Sequence, residues 1–176
     1  ISLVREPVAR NIGSFFQNLS EYMPDWKERH RKGALDVDEL QASFLANESI
    51  HIAADWWFDR QLKPVFGIDV FESAFPREAG YKIYTSAPRA SLLLIRLEDL
   101  DGCAERAMHE FLGLERFALH NTNIGGEKDY ADLYEAFKAK RLPDEYLEKV
   151  YGSRTARHFY GPEELERFAR RWRQGE

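Results

Sequence analysis

The sequence predicts an α/β domain built on parallel strands and finished by a helical C-terminal tail. Two observations carry that expectation. Ile1 to Arg5 is a short apolar run, followed by Pro7 and then by Val8, Ile12, Phe15 and Leu19 at helical spacing, the pattern of a strand turning into a helix. Ala90 to Leu97 is almost continuously apolar, as in a strand buried on both faces of a parallel sheet, and a helical pattern with Ala104, Ala107, Met108, Phe111 and Leu112 follows it.

The remaining elements follow in order. Arg10, Asn11 and Ser14 fall opposite the apolar stripe of the first helix, so they are expected on its polar face. Glu21 to Gly33 is polar, is broken by Pro24 and Gly33, and reads as loop with some helix. Asp36 is placed to cap a helix running to about Ala46. A second helix covers Glu48 to Leu62 and is ended by Pro64 and Gly67. Gly80 introduces Tyr81 to Thr85, which alternates like a strand, and Gly113 ends the helix that follows Glu98 and Asp99. The tail holds helices at Asp129 to Lys140 and Pro143 to Val150. A last helix opens at Gly161-Pro162-Glu163-Glu164, with Leu165, Phe168, Ala169 and Trp172 as its docking stripe.

Composition bounds the function classes. The 176 residues suit one domain, and 44% hydrophobic with 14% aromatic content supplies a core. Cys103 is the single cysteine, which excludes an internal disulfide framework and fits a reducing compartment, hence a cytoplasmic location. The longest apolar run is too short to cross a membrane, so no integral membrane segment is expected. A net charge of -5 argues against general nucleic-acid binding, yet leaves room for one small anion site. Because Ile1 lies inside an apolar strand, the chain is expected to be the C-terminal portion of a single domain whose N-terminal part lies upstream.

The chemistry centres on Arg5. An arginine at a strand end, just before a helix N-terminus, is well placed to hold a phosphate, and Arg10 could close over the same group one turn later. The alternative is that Arg5 pairs with a neighbouring carboxylate such as Glu6 and that Arg10 is solvated. His30, His51, His109, His120 and His158 show no compact metal-ligand spacing. The basic run Lys27 to Lys32 reads either as a solvated helix face or as a contact for an acidic polysaccharide.

The string Val4-Arg5-Glu6-Pro7-Val8-Ala9-Arg10-Asn11-Ile12 resembles the 3′-phosphate motif of sulfotransferases. Leu97-Glu98-Asp99-Leu100 and Phe111-Leu112-Gly113 resemble segments of carbohydrate sulfotransferases. The tail from Tyr151 to Tyr160, with Glu163, Glu164 and Trp172, looks like that of a bacterial family of capsular polysaccharide synthesis proteins, taken to be sulfotransferase relatives. The resemblance implies a three-layer parallel sheet of the P-loop type that binds 3′-phosphoadenosine 5′-phosphosulfate (PAPS), with Arg5 on the 3′-phosphate. The motif serine falls on Gly13, so Ser14 is carried over with a turn of ~100° about the helix. Arg10 matches the motif. The Gly-rich loop that cradles the 5′-phosphosulfate has no counterpart here and is expected upstream. Gly125-Gly126-Glu127-Lys128 is either a plain turn or a contribution from the far side of the cofactor, through Lys128.

Sulfuryl transfer to a hydroxyl needs a general base, and His51 with Asp55 one helical turn on is one candidate; Asp59 and Glu98 are others. The plainer reading of His51 is packing beside Trp56 and Trp57, which could themselves stack on a sugar or simply fill the core. The function expected is a PAPS-dependent sulfotransferase acting on a hydroxyl of a surface or capsular polysaccharide, active only with the upstream part. A non-catalytic nucleotide- or glycan-binding protein of capsule synthesis and an ATP-using P-loop kinase relative are the alternatives.

Overall fold

A computed structural model of the chain describes residues 1–86, 88, 90–120 and 128–175, and of residues 52–55 the backbone alone. The chain opens with β1 (Ser2–Val4), α1 (Pro7–Gln17), α2 (Leu19–Tyr22), α3 (Trp26–Arg31) and α4 (Val37–Ala46). A long helix follows, made of α5 (Glu48–Trp57), a wide π turn (Phe58–Leu62) and α6 (Lys63–Phe66). Strands β2 (Tyr81–Ser86) and β3 (Ala90–Arg96) come next, then a 3₁₀ turn (Leu97–Asp99) and α7 (Leu100–Leu112). Four tail helices close the chain: α8 (Ala131–Lys138), α9 (Asp144–Tyr151), α10 (Arg154–Phe159) and α11 (Pro162–Gln174).

Sequence signals place most helix ends. Pro7 sits in the first turn of α1, where its missing N–H costs nothing. Asp36 caps α4 through the Asp38 N–H at 2.9 Å. Gly67 and Gly113 end α6 and α7 in the left-handed conformation. The stripe Val8, Ile12, Phe15 and Leu19 is fully buried. It packs into an aromatic core in which the Phe15 ring lies 5.6 Å from Phe44 and 6.2 Å from Phe137.

The sheet corrects the expected fold class. It has three strands in the order β1-β3-β2, and it is mixed: β1 runs parallel to β3, and β2 runs antiparallel to it. About 60% of the described residues are helical, so helices rather than a three-layer parallel P-loop sheet make the architecture. The physical reason lies in residues 87–89. They join Ser86 to its partner Ala90 and leave room only for a hairpin, whereas a parallel crossover takes a dozen residues or more.

The apolar run of β3 reflects a central strand covered on both faces, which does not fix the direction of its neighbours. Leu92 and Leu94 face the large helical core, while Leu93 and Ile95 face Cys103, Ala107 and Met108 of α7.

Gly80 holds the entry to β2. Its φ is +77°, and an added Cβ would come within 2.5 Å of the Asp99 Cβ. Its carbonyl accepts the Arg96 N–H at 2.8 Å. Gly80→Ala is therefore expected to lower stability by ~2–4 kcal/mol, read from urea unfolding, through left-handed strain and overpacking together.

Candidate functional site

Parallel pairing of β1 with β3 sets Val4 opposite Arg96, so both strands end at the same edge. The two segments singled out in the sequence, Arg5–Arg10 and Leu97–Leu100, therefore meet. The Glu6 N–H donates to Glu98 Oε1 at 2.7 Å, and the Tyr160 hydroxyl donates to Glu98 Oε2 at 2.8 Å.

Glu6 is buried and caps α1. One carboxylate oxygen accepts from the Val8 N–H at 2.8 Å and from the Tyr151 hydroxyl at 2.6 Å. The other accepts from the Ala9 N–H at 2.7 Å and more weakly from Trp172 Nε1 at 3.4 Å. Burial pushes the Glu6 carboxyl above its ordinary value, against the pull of these donors.

Arg96 completes the cluster from below. It pairs with Asp99 and with Glu164 at 3.1 Å, donates to the Phe159 carbonyl at 3.0 Å and lies over the Tyr160 ring. Burial opposes its charge, but Asp99 and Glu164 outweigh it and hold the guanidinium protonated.

The backbone donors at the start of α1 are thus taken by the protein's own carboxylate. Arg5 differs from its neighbours. It is exposed and, among the described residues, has no hydrogen bond or ion pair, so the alternative in which it pairs with Glu6 is not what the structure shows. Its guanidinium lies along α1, with Nη1 3.5 Å from where a Cβ on Gly13 would stand. A cavity of about 360 Å³ opens at this edge, lined by Arg5, Arg10, Trp56, Trp57, Thr155 and Tyr160 among others. A mostly apolar hollow with a few polar groups is the usual form of a small-ligand site.

The other residues singled out in the sequence are more dispersed. Arg10 also borders the cavity, but it is partly buried, donating to the Ile50 carbonyl at 2.7 Å and to the Asn11 side chain. Asn11 is fully buried rather than on a polar face, because α5 and α9 cover that side of α1; it donates to Tyr146 at 3.0 Å.

His51 stands 2.9 Å from the Phe44 carbonyl through Nε2. That carbonyl only accepts, so Nε2 carries the proton, and Nδ1 faces the Asn11 amide at 3.4 Å. Burial, and then the charges of Lys149 and Arg10, hold the imidazole below its ordinary value and hence neutral. The side chain of Asp55 lies outside the described residues. Asp59 pairs with Arg154 at 3.0 Å.

Ser14 is half-buried on α1. Lys128 is exposed in a separate hollow with Phe16, Ser20 and Lys27, at the opposite end of α1 from Arg5. That helix is about 16 Å long at 1.5 Å per residue. Gly125 and Gly126 lie outside the described residues.

Sequence reasoning missed Tyr151, Tyr160, Trp172 and Glu164 as partners of the strand ends. No local signal could have found them, since Tyr151 meets Glu6 across 145 positions and its own neighbourhood reads as an ordinary amphipathic helix.

The pH dependence of this cluster has a definite sign. A carboxyl whose folded pKa is raised contributes stability that is fully present below its unfolded value and is lost as pH rises through the folded one. Relative to Glu6→Gln, the native chain should therefore be most stable below the ordinary carboxylate value of 4.5 and lose that advantage as pH rises through the raised folded value. Urea midpoints for both proteins across this range measure it, and parallel curves would contradict the assignment.

A family model described as "putative capsular polysaccharide synthesis protein" matches residues 33–161. The match takes in Leu97–Leu100, Phe111–Gly113 and Tyr151–Tyr160, and begins after the Arg5–Arg10 segment. No curated protein and no solved structure matches the chain. With well over half of its length matched, and with the Leu97–Leu100 turn anchoring its strand ends, the chain belongs to this family of capsular polysaccharide synthesis proteins.

Proposed function

We propose that the chain serves capsular polysaccharide synthesis by holding the 3′-phosphate end of PAPS, as part of a sulfotransferase that modifies a glycan hydroxyl. The observation that carries the reading is Arg5. At this strand end Glu6, Glu98 and Arg96 are satisfied within the protein, and Arg5 alone among them presents charge to the cavity. Guanidinium grips phosphate oxygens through two parallel hydrogen bonds. The Trp56 and Trp57 rings supply faces on which an adenine could stack.

The residues fit one half of such a cofactor. Arg5 supports the 3′-phosphate, whereas Lys128, at the far end of α1, would reach only a different part of the ligand. The bound nucleotide would supply an activated sulfuryl group. The acceptor proton needs a base, and Glu98 already accepts one hydrogen bond on each oxygen, from the Glu6 N–H and the Tyr160 hydroxyl. His51 could take the proton only at Nδ1, by releasing Asn11.

A binding role without transfer is the second reading, and one observation favours it. Glu6 fills the helix terminus whose N–H groups would otherwise face charge developing in a transition state.

Calorimetric titration with adenosine 3′,5′-bisphosphate and with ATP separates the cofactor classes. Preferred binding of the bisphosphate is expected, with Arg5→Ala weakening it by ~1.5–3 kcal/mol, the scale of a charged hydrogen bond. Tight ATP binding without bisphosphate binding would sink the sulfotransferase reading, and an Arg5→Ala affinity equal to that of the native chain would remove Arg5 from the site.

A further inference from the structure

We infer that the outer face of the long α5–α6 helix is the seat of an acidic glycan strand. A groove of about 500 Å³ runs there, lined by Trp56, Trp57, Gln61, Leu62, Val65 and Phe66. It shares Trp56 and Trp57 with the cavity beside Arg5, so the two hollows meet at the tryptophan pair.

The face is more open than a core helix allows. Val65 is 64% exposed, Phe66 46% and Trp57 39%, and all three belong to a continuous helical segment rather than to a loop. Flat rings presented on a rigid wall suit the apolar faces of sugar rings, and Gln61 adds an amide that can both donate and accept.

Charge selects the kind of glycan. Arg60 lies over the Trp56 ring at 5.6 Å and, among the described residues, has no carboxylate within ion-pair distance. Among the described residues, Asp59 is matched by Arg154 and Asp69 by Lys63. Arg60 is thus an unmatched cation on the tryptophan end of the strip, which complements a polymer carrying carboxylates, sulfates or phosphates and leaves a neutral glucan without a partner for it. Membership of a capsular polysaccharide synthesis family makes such a polymer the fitting occupant. A hydroxyl of a strand laid in this groove would come to the mouth of the Arg5 cavity. This inference rests on the capsular reading of the chain and on Arg5 lining the cavity, but not on the identity of the nucleotide.

The test uses tryptophan fluorescence and calorimetry on the chain with oligogalacturonate, with heparin-derived oligosaccharides and with dextran oligosaccharides of equal length. Saturable binding of at least one acidic series, about tenfold or more tighter than dextran, is expected. Arg60→Gln and Phe66→Ser, both at exposed positions outside the cavity lining, should each weaken that binding about tenfold. Phe66→Ser, which lies outside the Arg5 cavity, should leave adenosine 3′,5′-bisphosphate binding unchanged.

Loss of bisphosphate binding alone, with the groove variants still impaired for oligosaccharide, would remove the nucleotide reading and keep the glycan seat. Failure of both acidic series to bind the native chain would overturn the proposal. So would native-like oligosaccharide binding by the two variants. A native sedimentation coefficient that falls to the monomer value in Phe66→Ser, without oligosaccharide binding, would assign the face to a second copy instead.

Discussion

One carboxylate, Glu6, ties the first strand, the first helix and the last helices together. It receives donors from its own helix at Val8 and Ala9 and from Tyr151 and Trp172 of the tail, while its N–H is held by Glu98 at the end of the neighbouring strand. A carboxylate taken from water costs several kcal/mol unless its lone pairs are met. Here they are met by groups from three separate parts of the chain, the start of α1, α9 and α11, so the burial is tolerable only when all of those parts are in place. Arg96 repeats the arrangement with the opposite sign, binding Asp99, Glu164 and the Phe159 carbonyl. The two buried charges pin the tail helices against the sheet edge from both sides.

That constraint shapes the candidate site. A helix N-terminus at a strand end is ordinarily a ready anion site. In this chain the same amides are closed by Glu6, and what remains for a ligand is the Arg5 side chain, the tryptophan pair and the hollow between them. The cluster behind them supplies rigidity rather than donors. The walls of the hollow come from β1, α5 and α10, all held by that cluster or by the core beneath it.

Several elements were legible in the residues because their causes are local. The stripe Val8, Ile12, Phe15 and Leu19 names the buried face of α1, Asp36 names the start of α4, and Gly113 names the end of α7. The fold class was misread where one pattern has two causes. A continuous apolar strand is buried on both faces whether its neighbours run parallel or antiparallel, and β3 has one of each. The short link at residues 87–89 held the deciding clue, since it is too short for a crossover. Asn11 and Arg10 were assigned to a polar face because helical spacing says which residues lie opposite a stripe, but not whether a second layer covers them.

The sequence by itself determined α1, α4, α7 and α11, the strand-end position of Arg5 and, through residues 33–161, the capsular polysaccharide synthesis family. Only the tertiary structure decided that Glu6, Glu98, Tyr151 and Tyr160 form one cluster, and that Arg5 is left outside it. The reason is range. Capping, periodicity and turns act over a few residues and leave marks in composition. A hydrogen bond between positions 6 and 151 depends on the path of everything between them, and neither residue type betrays it alone.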